Sequence, residues 1–307
     1  MSRSALVAVT SRSFSKNILL KDRLQAHFKT VKFNEQGVKL VGESLKKFLY
    51  DAELAIIGLE VIDANLLDSL PNLKVICKMG TGVDKVDLGE LKKRKIAFSH
   101  TPGANKRSVS ELVLGHIFTV LRQLSAVSQL VKEGSWVQPL GKLLSAKTVG
   151  IIGFGAVGQD LSVLLAAFGC RCLIYDVLVC NNLPFYATQV DLDVLLAEAD
   201  IISLHIPLTS DNYHFIGERE FSKMKATAVL INTARGGLVD EEVLYKMLKT
   251  ERLYAAALDV FEEEPHVSSK LLELHNFFAT SHIGGSTEEA IEAMGMRAID
   301  YLVQVGV

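Results

Sequence analysis

The stretch from Thr148 to Asp176 restricts what this chain can fold into more than any other. Thr148-Val149-Gly150-Ile151-Ile152 is short, apolar and β-branched, the pattern of a parallel strand buried on both faces, and it stops at Gly153-Phe154-Gly155-Ala156-Val157-Gly158. The glycines have the full G-x-G-x-x-G spacing. Leu161, Leu164, Leu165 and Phe168 then recur at helical spacing until Gly169 ends the helix, and Cys170 to Tyr175 reads as a second strand closed by Asp176. Strand, glycine turn, helix, strand and terminal acid follow in order.

Each residue type in that unit has a physical task. Gly153 permits a tight turn, Gly155 lets backbone approach a pyrophosphate, and Gly158 lets the helix pack closely on the strand. The free N–H groups of the first helical turn, at Ala156 and Val157, and the helix dipole then hold the phosphates. Asp176 is placed to accept hydrogen bonds from an adenosine ribose and would repel a 2′-phosphate, which favours NAD over NADP. A ligand-free glycine turn in an α/β domain is the competing reading, and the flanking elements weigh against it.

At 307 residues the chain has room for two domains, each with its own core. Hydrophobic residues make up 49% and charged residues 22%, as in a soluble enzyme, and a formal net charge of -2 offers no basic surface to nucleic acid or an anionic membrane. Leu6 to Val9 is too brief for a signal-peptide core, and no later run reaches membrane-spanning length, so a cytoplasmic protein is expected. Cys77, Cys170, Cys172 and Cys180 form no C-x-x-C pair and the histidines no H-E-x-x-H, so buried free thiols and no metal are expected.

Ala5 to Val9, Leu54 to Ile57, Leu73 to Cys77 and Ile96 to Phe98 are short apolar runs separated by helical patterns, the rhythm of a small parallel-sheet domain. The third run leads into Met79-Gly80-Thr81-Gly82-Val83-Asp84, a loop at the sheet edge where α/β ligands usually bind. Its backbone N–H groups suit a carboxylate, and a plain strand-to-helix turn is the other reading. Thr101-Pro102-Gly103 is turn chemistry before a long helical pattern from Val109 to Leu124. Trp136, in the Gly134 to Gly141 loop, packs either across a subunit interface or within its own chain. Beyond Asp176 the α/β alternation resumes: Ile201 to Leu204 exits at His205-Ile206-Pro207, Val229 to Ile231 at Asn232-Thr233-Ala234-Arg235-Gly236-Gly237, Ala255 to Leu258 at Asp259 and Glu262-Glu263-Glu264-Pro265, and Phe277 to Thr280 at Ser281-His282-Ile283-Gly284-Gly285. All these polar groups fall at one sheet edge.

On the Gly80 to Asp84 loop, the Asn105 to Glu111 segment, Gly153 to Gly158, Asn232 to Gly237, Asp259 to Pro265 and His282 to Ser286, the chain resembles the D-isomer-specific 2-hydroxyacid dehydrogenases along essentially its whole length. Ser281 departs from the family's usual proline before the histidine. The resemblance implies an α/β fold of two doubly wound parallel-sheet domains. A Rossmann NAD-binding domain at 100–285 is inserted into a flavodoxin-like substrate domain at 1–99 and 286–307, with the active site in the cleft. It implies Arg235, Glu264 and His282 as the catalytic trio, with Gly80, Thr81, Gly82, Arg235 and His282 around the substrate. It implies NAD contacts at the glycine turn, Asp176, His205, Pro207, Thr233, Ala234 and Asp259, and a homodimer formed through the nucleotide domain. Asp259 either bonds the nicotinamide carboxamide or closes a turn.

The chemistry agrees with the trio: an arginine fork binds a carboxylate and polarises a carbonyl, a histidine exchanges a proton, and Glu264 favours the charged imidazolium. Taken singly, each of the three has a bland reading as a surface or turn residue. A small unphosphorylated 2-oxo or 2-hydroxy acid is the expected substrate. Glu60 follows the strand at Leu54 to Ile57 where phosphoglycerate dehydrogenases of the family often carry arginine, and the chain ends at Val307 without their regulatory extension. Lys78, Lys85, Lys106, Arg107 or a residue from a second subunit could still serve a phosphate, so phosphoglycerate dehydrogenase is the alternative. An NAD(H)-sensing protein like the C-terminal-binding corepressors is the alternative of another class, and formate or phosphite oxidation on the same fold is a third.

Overall fold

The computed structural model describes residues 4–305, and the chain divides into two compact units: everything up to Asn105 together with everything from Gly285 on, and Lys106–Gly284 between them. The first crossing lies beyond the 99/100 boundary expected from sequence, because the Thr101–Asn105 turn is tied to the first unit. Thr101 N–H donates to the Gly80 carbonyl at 3.1 Å, the Thr81 hydroxyl to Asn105 at 3.0 Å, and Arg297 to the Pro102 carbonyl at 2.8 Å.

The first unit contains β1 (Leu6–Val9), β2 (Thr30–Phe33), β3 (Leu54–Ile57), β4 (Val75–Lys78) and β5 (Ala97–Ser99), all parallel in the order β2-β1-β3-β4-β5. This is the flavodoxin-like order. Strands β3 and β4 are buried throughout, as continuous apolar runs should be. Strand β2 was not legible because Thr30-Val31-Lys32-Phe33 is an edge strand, paired only with β1 and wholly exposed or half-buried. One sheet face is covered by the helices Ile18–His27 and Glu288–Val305, where Leu20 and Leu24 meet Ala290, Met294, Ala298 and Leu302. The other face packs Leu45, Leu49, Leu66, Leu67 and Leu91 onto Ala55, Ile57 and Ile76.

The second unit contains β6 (Thr148–Ile152), β7 (Arg171–Tyr175), β8 (Ala187–Gln189), β9 (Ile201–Leu204), β10 (Val229–Asn232), β11 (Ala255–Leu258) and β12 (Phe277–Ala279). All pair in parallel, in the order β12-β11-β10-β9-β6-β7-β8. Counted from β6 this is the doubly wound 3-2-1-4-5-6 order with one further edge strand, so the chain reverses direction across the sheet between β6 and β9. Strand β8 is a short edge strand with no apolar run, and the sequence does not announce it. The helix expected to run through Leu124 ends at Arg122: Gln123 takes a left-handed φ of 52°, and a second helix, Leu124–Lys132, follows. The first of these buries Val113, Ile117 and Leu121 with Ile151, Leu161 and Leu165. Arg107 in its first turn makes a two-pronged ion pair with Asp160, 2.9 and 3.1 Å, on helix Ala156–Ala166.

Gly295 is where the last helix meets Leu20, and a Cβ there would overlap the Leu20 side chain, which is fully buried and cannot swing away. Gly295→Ala gains at most about 1 kcal/mol of helix propensity. Overpacking costs roughly 1–3 kcal/mol. The variant should therefore melt at a lower temperature than wild type; a higher melting temperature in calorimetry would contradict this packing.

Candidate active site

The glycine turn forms a cradle. Gly153, at φ 96°, donates its N–H to the Tyr175 carbonyl at 2.8 Å, and a Cβ there would come within 2.7 Å of the His205 carbonyl oxygen. A Cβ on Gly158 would overlap the Gly153 carbonyl, while at Gly155 there is open space. Helix Ala156–Ala166 therefore starts hard against the strand it follows, with Gly155 and Ala156 exposed, Val157 half-buried and its first-turn N–H groups without helical acceptors. Asp176 is oriented by two backbone donors, Phe154 N–H at 2.7 Å and Leu178 N–H at 2.9 Å, one on each oxygen. A carboxylate has about four acceptor sites, so both oxygens retain capacity for ribose hydroxyls. Open space at Gly155, donors beside it and an oriented acid fit a dinucleotide.

The ends of β9 and β10 flank this cradle. His205 donates its N–H to the Ile152 carbonyl at 2.7 Å, and its ring Nε2 lies 2.9 Å from the buried Ser203 hydroxyl. Burial pushes its pKa down to about 3. The imidazole is thus a neutral group turned toward the protein, a role not legible in the sequence. The Pro207 carbonyl accepts from Asn212 at 2.8 Å. The Thr233 hydroxyl is buried with no partner among the described residues. Fully buried Asn232 shapes the turn after β10, accepting from Ala234 N–H at 3.0 Å and donating to the Arg235 carbonyl at 2.8 Å. A Cβ on Gly236 would overlap the Phe261 backbone, so glycine after Arg235 lets this turn lie directly on the loop that carries Glu264.

His282 and Glu264 are in direct contact, with Nδ1 2.9 and 3.0 Å from the two carboxylate oxygens. Nδ1 therefore carries a proton toward Glu264 and Nε2 is the remaining ring nitrogen. Phe261 N–H donates to Glu264 at 3.3 Å. The backbone of His282 is left-handed, φ 56°, which costs a residue with a side chain about 1–2 kcal/mol and persists only where its surroundings dictate it. Asp259 supplies those surroundings. Its carbonyl accepts from His282 N–H at 2.8 Å, and its carboxylate accepts from Ile283 N–H at 2.8 Å, Gly284 N–H at 2.8 Å and the Thr280 hydroxyl at 2.6 Å. Of the two readings of Asp259, the turn-closing one is visible in these bonds.

The Gly80–Gly82 loop of the first unit differs in one respect from its sequence reading. Gly80, at φ 143°, already donates its N–H to the Thr101 hydroxyl at 3.0 Å, and His100 Nδ1 donates to the Thr81 carbonyl at 2.9 Å. Of this loop's three N–H groups, those of Thr81 and Gly82 have no partner among the described residues, a threonine two residues beyond β5 having taken the first. Glu60 folds back to accept from Gly58 N–H at 2.6 Å, and buried Lys78 donates to the Gly58 carbonyl at 2.5 Å. No group of three or more His, Cys, Asp or Glu side chains among the described residues could hold a metal ion.

The state of His205 has a measurable consequence. Its folded pKa lies below the unfolded value of about 6.5, so the unfolded chain takes up the proton first and stability falls as pH drops below that value, down to about 3. At pH 5 the linked loss is about 2 kcal/mol. Wild type should accordingly lose more melting temperature between pH 7.5 and 5 than His205→Gln, which does not titrate there; equal losses would mean the ring is not held neutral.

Residues 114–284 match the family described as D-isomer specific 2-hydroxyacid dehydrogenase, NAD binding domain. The hydroxypyruvate reductase of Thermotoga maritima is 36% identical over 92% of this chain and 95% of its own length. The D-3-phosphoglycerate dehydrogenase of Methanocaldococcus jannaschii is 35% identical over 88% of this chain, which spans 53% of that protein. Among solved structures, the Aquifex aeolicus D-lactate dehydrogenase complexed with NAD and lactic acid superposes with a TM-score of 0.83 at 28% identity, covering 97% of this chain and 94% of that one. With the cradle, the parallel-sheet order and these similarities in agreement, the chain belongs to the D-isomer specific 2-hydroxyacid dehydrogenase family, as an NAD-dependent oxidoreductase.

Proposed function

We propose that this enzyme interconverts a small, unphosphorylated 2-oxo acid and its D-2-hydroxy acid, with residues 106–284 as the cofactor unit and the remainder as the substrate unit. The observation that carries this reading is the His282–Glu264 pair, held by the Asp259 clamp on a dinucleotide-binding sheet. When bound, NADH supplies the hydride. Gly153, Gly155, Ala156, Val157 and Gly158 would hold the pyrophosphate, Asp176 the adenosine ribose, and His205, Pro207, Thr233, Ala234 and Asp259 the nicotinamide end. Arg235 binds the substrate carboxylate and polarises the carbonyl. His282 gives the proton on Nε2 to the developing alkoxide, while Glu264 holds Nδ1–H and stabilises the imidazolium; in the oxidative direction Nε2 takes the hydroxyl proton back.

Asp176 sets the cofactor. Its carboxylate is fixed by Phe154 and Leu178 N–H, and the exposed residues after it, Val177, Leu178 and Val179, supply no cation for a 2′-phosphate, so NADH is preferred over NADPH. For the substrate, Arg107 is committed to Asp160, and Glu60, which accepts from Gly58 N–H, puts a carboxylate rather than a cation in the loop after β3, which weighs against a phosphate there. One observation favours phosphoglycerate dehydrogenase instead: the Lys78 ammonium lies within 3.7 Å of the Gly80 Cβ position, beside the substrate loop.

We also infer a homodimer and a cytoplasmic location. Trp136 is 83% exposed and Leu140 93%, with Leu143 close behind, so the loop Gly134–Gly141 does not pack its tryptophan within the chain and presents an apolar strip suited to a second copy. All four cysteines are free thiols, three of them buried, as in a reducing compartment.

NADH oxidation followed with glyoxylate, hydroxypyruvate, pyruvate and phosphohydroxypyruvate, repeated with NADPH, tests the reading. The expected result is a higher kcat/KM for an unphosphorylated acid with NADH, and a loss of roughly 10²- to 10⁴-fold in turnover for His282→Ala with NADH binding retained. Near-normal turnover in that variant would end the assignment of His282, and a preference for phosphohydroxypyruvate would select the alternative.

A further inference from the structure

His116 lies in the helix Lys106–Arg122, 1% exposed and far in sequence from the catalytic pair, and its Nε2 is 3.0 Å from the Thr280 hydroxyl. That hydroxyl is in turn 2.6 Å from Asp259 Oδ1. An ionised carboxylate can only accept, so Thr280 donates its one proton to Asp259, and the proton in the His116–Thr280 bond must come from His116 Nε2. The other ring nitrogen, Nδ1, is buried with no partner among the described residues, and the ring stands edge-on to Phe278 at 5.5 Å. Burial lowers the pKa of His116, with Asp259 pulling weakly the other way. The side chain is therefore a neutral Nε2–H donor, and the hydrogen bonds run in one direction, from His116 through Thr280 to Asp259.

We propose that Thr280, backed by His116, is a positioning residue for His282: it completes and orients the Asp259 carboxylate, which fixes the left-handed turn that points His282 at Glu264. The proposal rests on the catalytic reading of His282 given above. Without the Thr280 hydroxyl, Oδ1 of Asp259 keeps only the Ile283 N–H as donor and can rotate, so the grip on Ile283 and Gly284 slackens one residue from the imidazole. Small displacements of a proton donor reduce turnover. His116 acts one bond further out and should have a smaller effect.

Thr280→Val keeps the shape and removes the hydroxyl, while Thr280→Ser keeps the hydroxyl and removes a methyl. His116→Met and His116→Gln form a parallel pair, since a glutamine amide can stand in for Nε2–H. For Thr280→Val we expect kcat to fall roughly 10- to 100-fold. Amide hydrogen exchange at residues 282–284 should be faster in the same variant. Thr280→Ser should return both readouts to near wild type, and His116→Met should move them in the same direction by a smaller factor while His116→Gln does not. If Thr280→Val fails to fold, the serine variant and the His116 pair carry the comparison. Wild-type kcat and exchange in Thr280→Val, or equal damage in the valine and serine variants, overturns the proposal and leaves His282 untouched; an active His282→Ala overturns the catalytic reading, and this proposal with it.

Discussion

A carboxylate that is 1% exposed is costly to bury unless donors answer it, and the answers to Asp259 organise the functional end of the second unit. Its N–H donates to the Asn232 carbonyl at 2.9 Å, which joins the ends of β11 and β10. Its carbonyl and both carboxylate oxygens take the N–H groups of His282, Ile283 and Gly284 and the hydroxyl of Thr280. One acidic side chain thus closes the turn after β12, holds a histidine in a conformation it would not choose alone, and aligns it with a glutamate from the turn after β11. Asn232 does the same work for the Arg235 turn with a neutral amide. Asn232 ends β10 and Asp259 follows the end of β11, and parallel pairing brings all such ends to one edge of the sheet.

The glycines complement these clamps by removing atoms where two backbones must meet. Gly158 brings the first helix of the dinucleotide unit onto its strand, Gly153 admits the His205 carbonyl, and Gly236 admits the loop that carries Glu264. Their shared consequence is rigidity: donors and acceptors around the cradle are set by backbone positions. Gly155 alone among these four faces open space, at the point where a phosphate would approach.

The sequence announced what depends on short-range pattern. The glycine spacing with its flanking apolar runs located the dinucleotide unit, and continuous apolar runs located the buried strands to within a residue or two. Edge strands β2 and β8 escaped because each pairs on one side and carries no apolar run. The break at Gln123 escaped because the leucine spacing continues through it while the backbone does not. His282 and Glu264 were recognisable from their motifs, but the bonds that orient them were not: His116 and Thr280 are separated by 164 positions, and nothing in a helical histidine announces such a partner. The Gly80 loop shows the converse, a motif that names three residues while tertiary structure has already spent one N–H on Thr101.

The central claim is that the cradle and the His282–Glu264 pair serve direct hydride transfer to the C2 carbon of a 2-oxo acid. Reduction of hydroxypyruvate or pyruvate with NADH deuterated at both hydrogens of the nicotinamide C4, followed by NMR and chiral analysis of the product, tests this directly. The account predicts one deuterium at C2 and the D configuration in every product molecule. Product carrying solvent hydrogen at C2, or the L configuration, would contradict it.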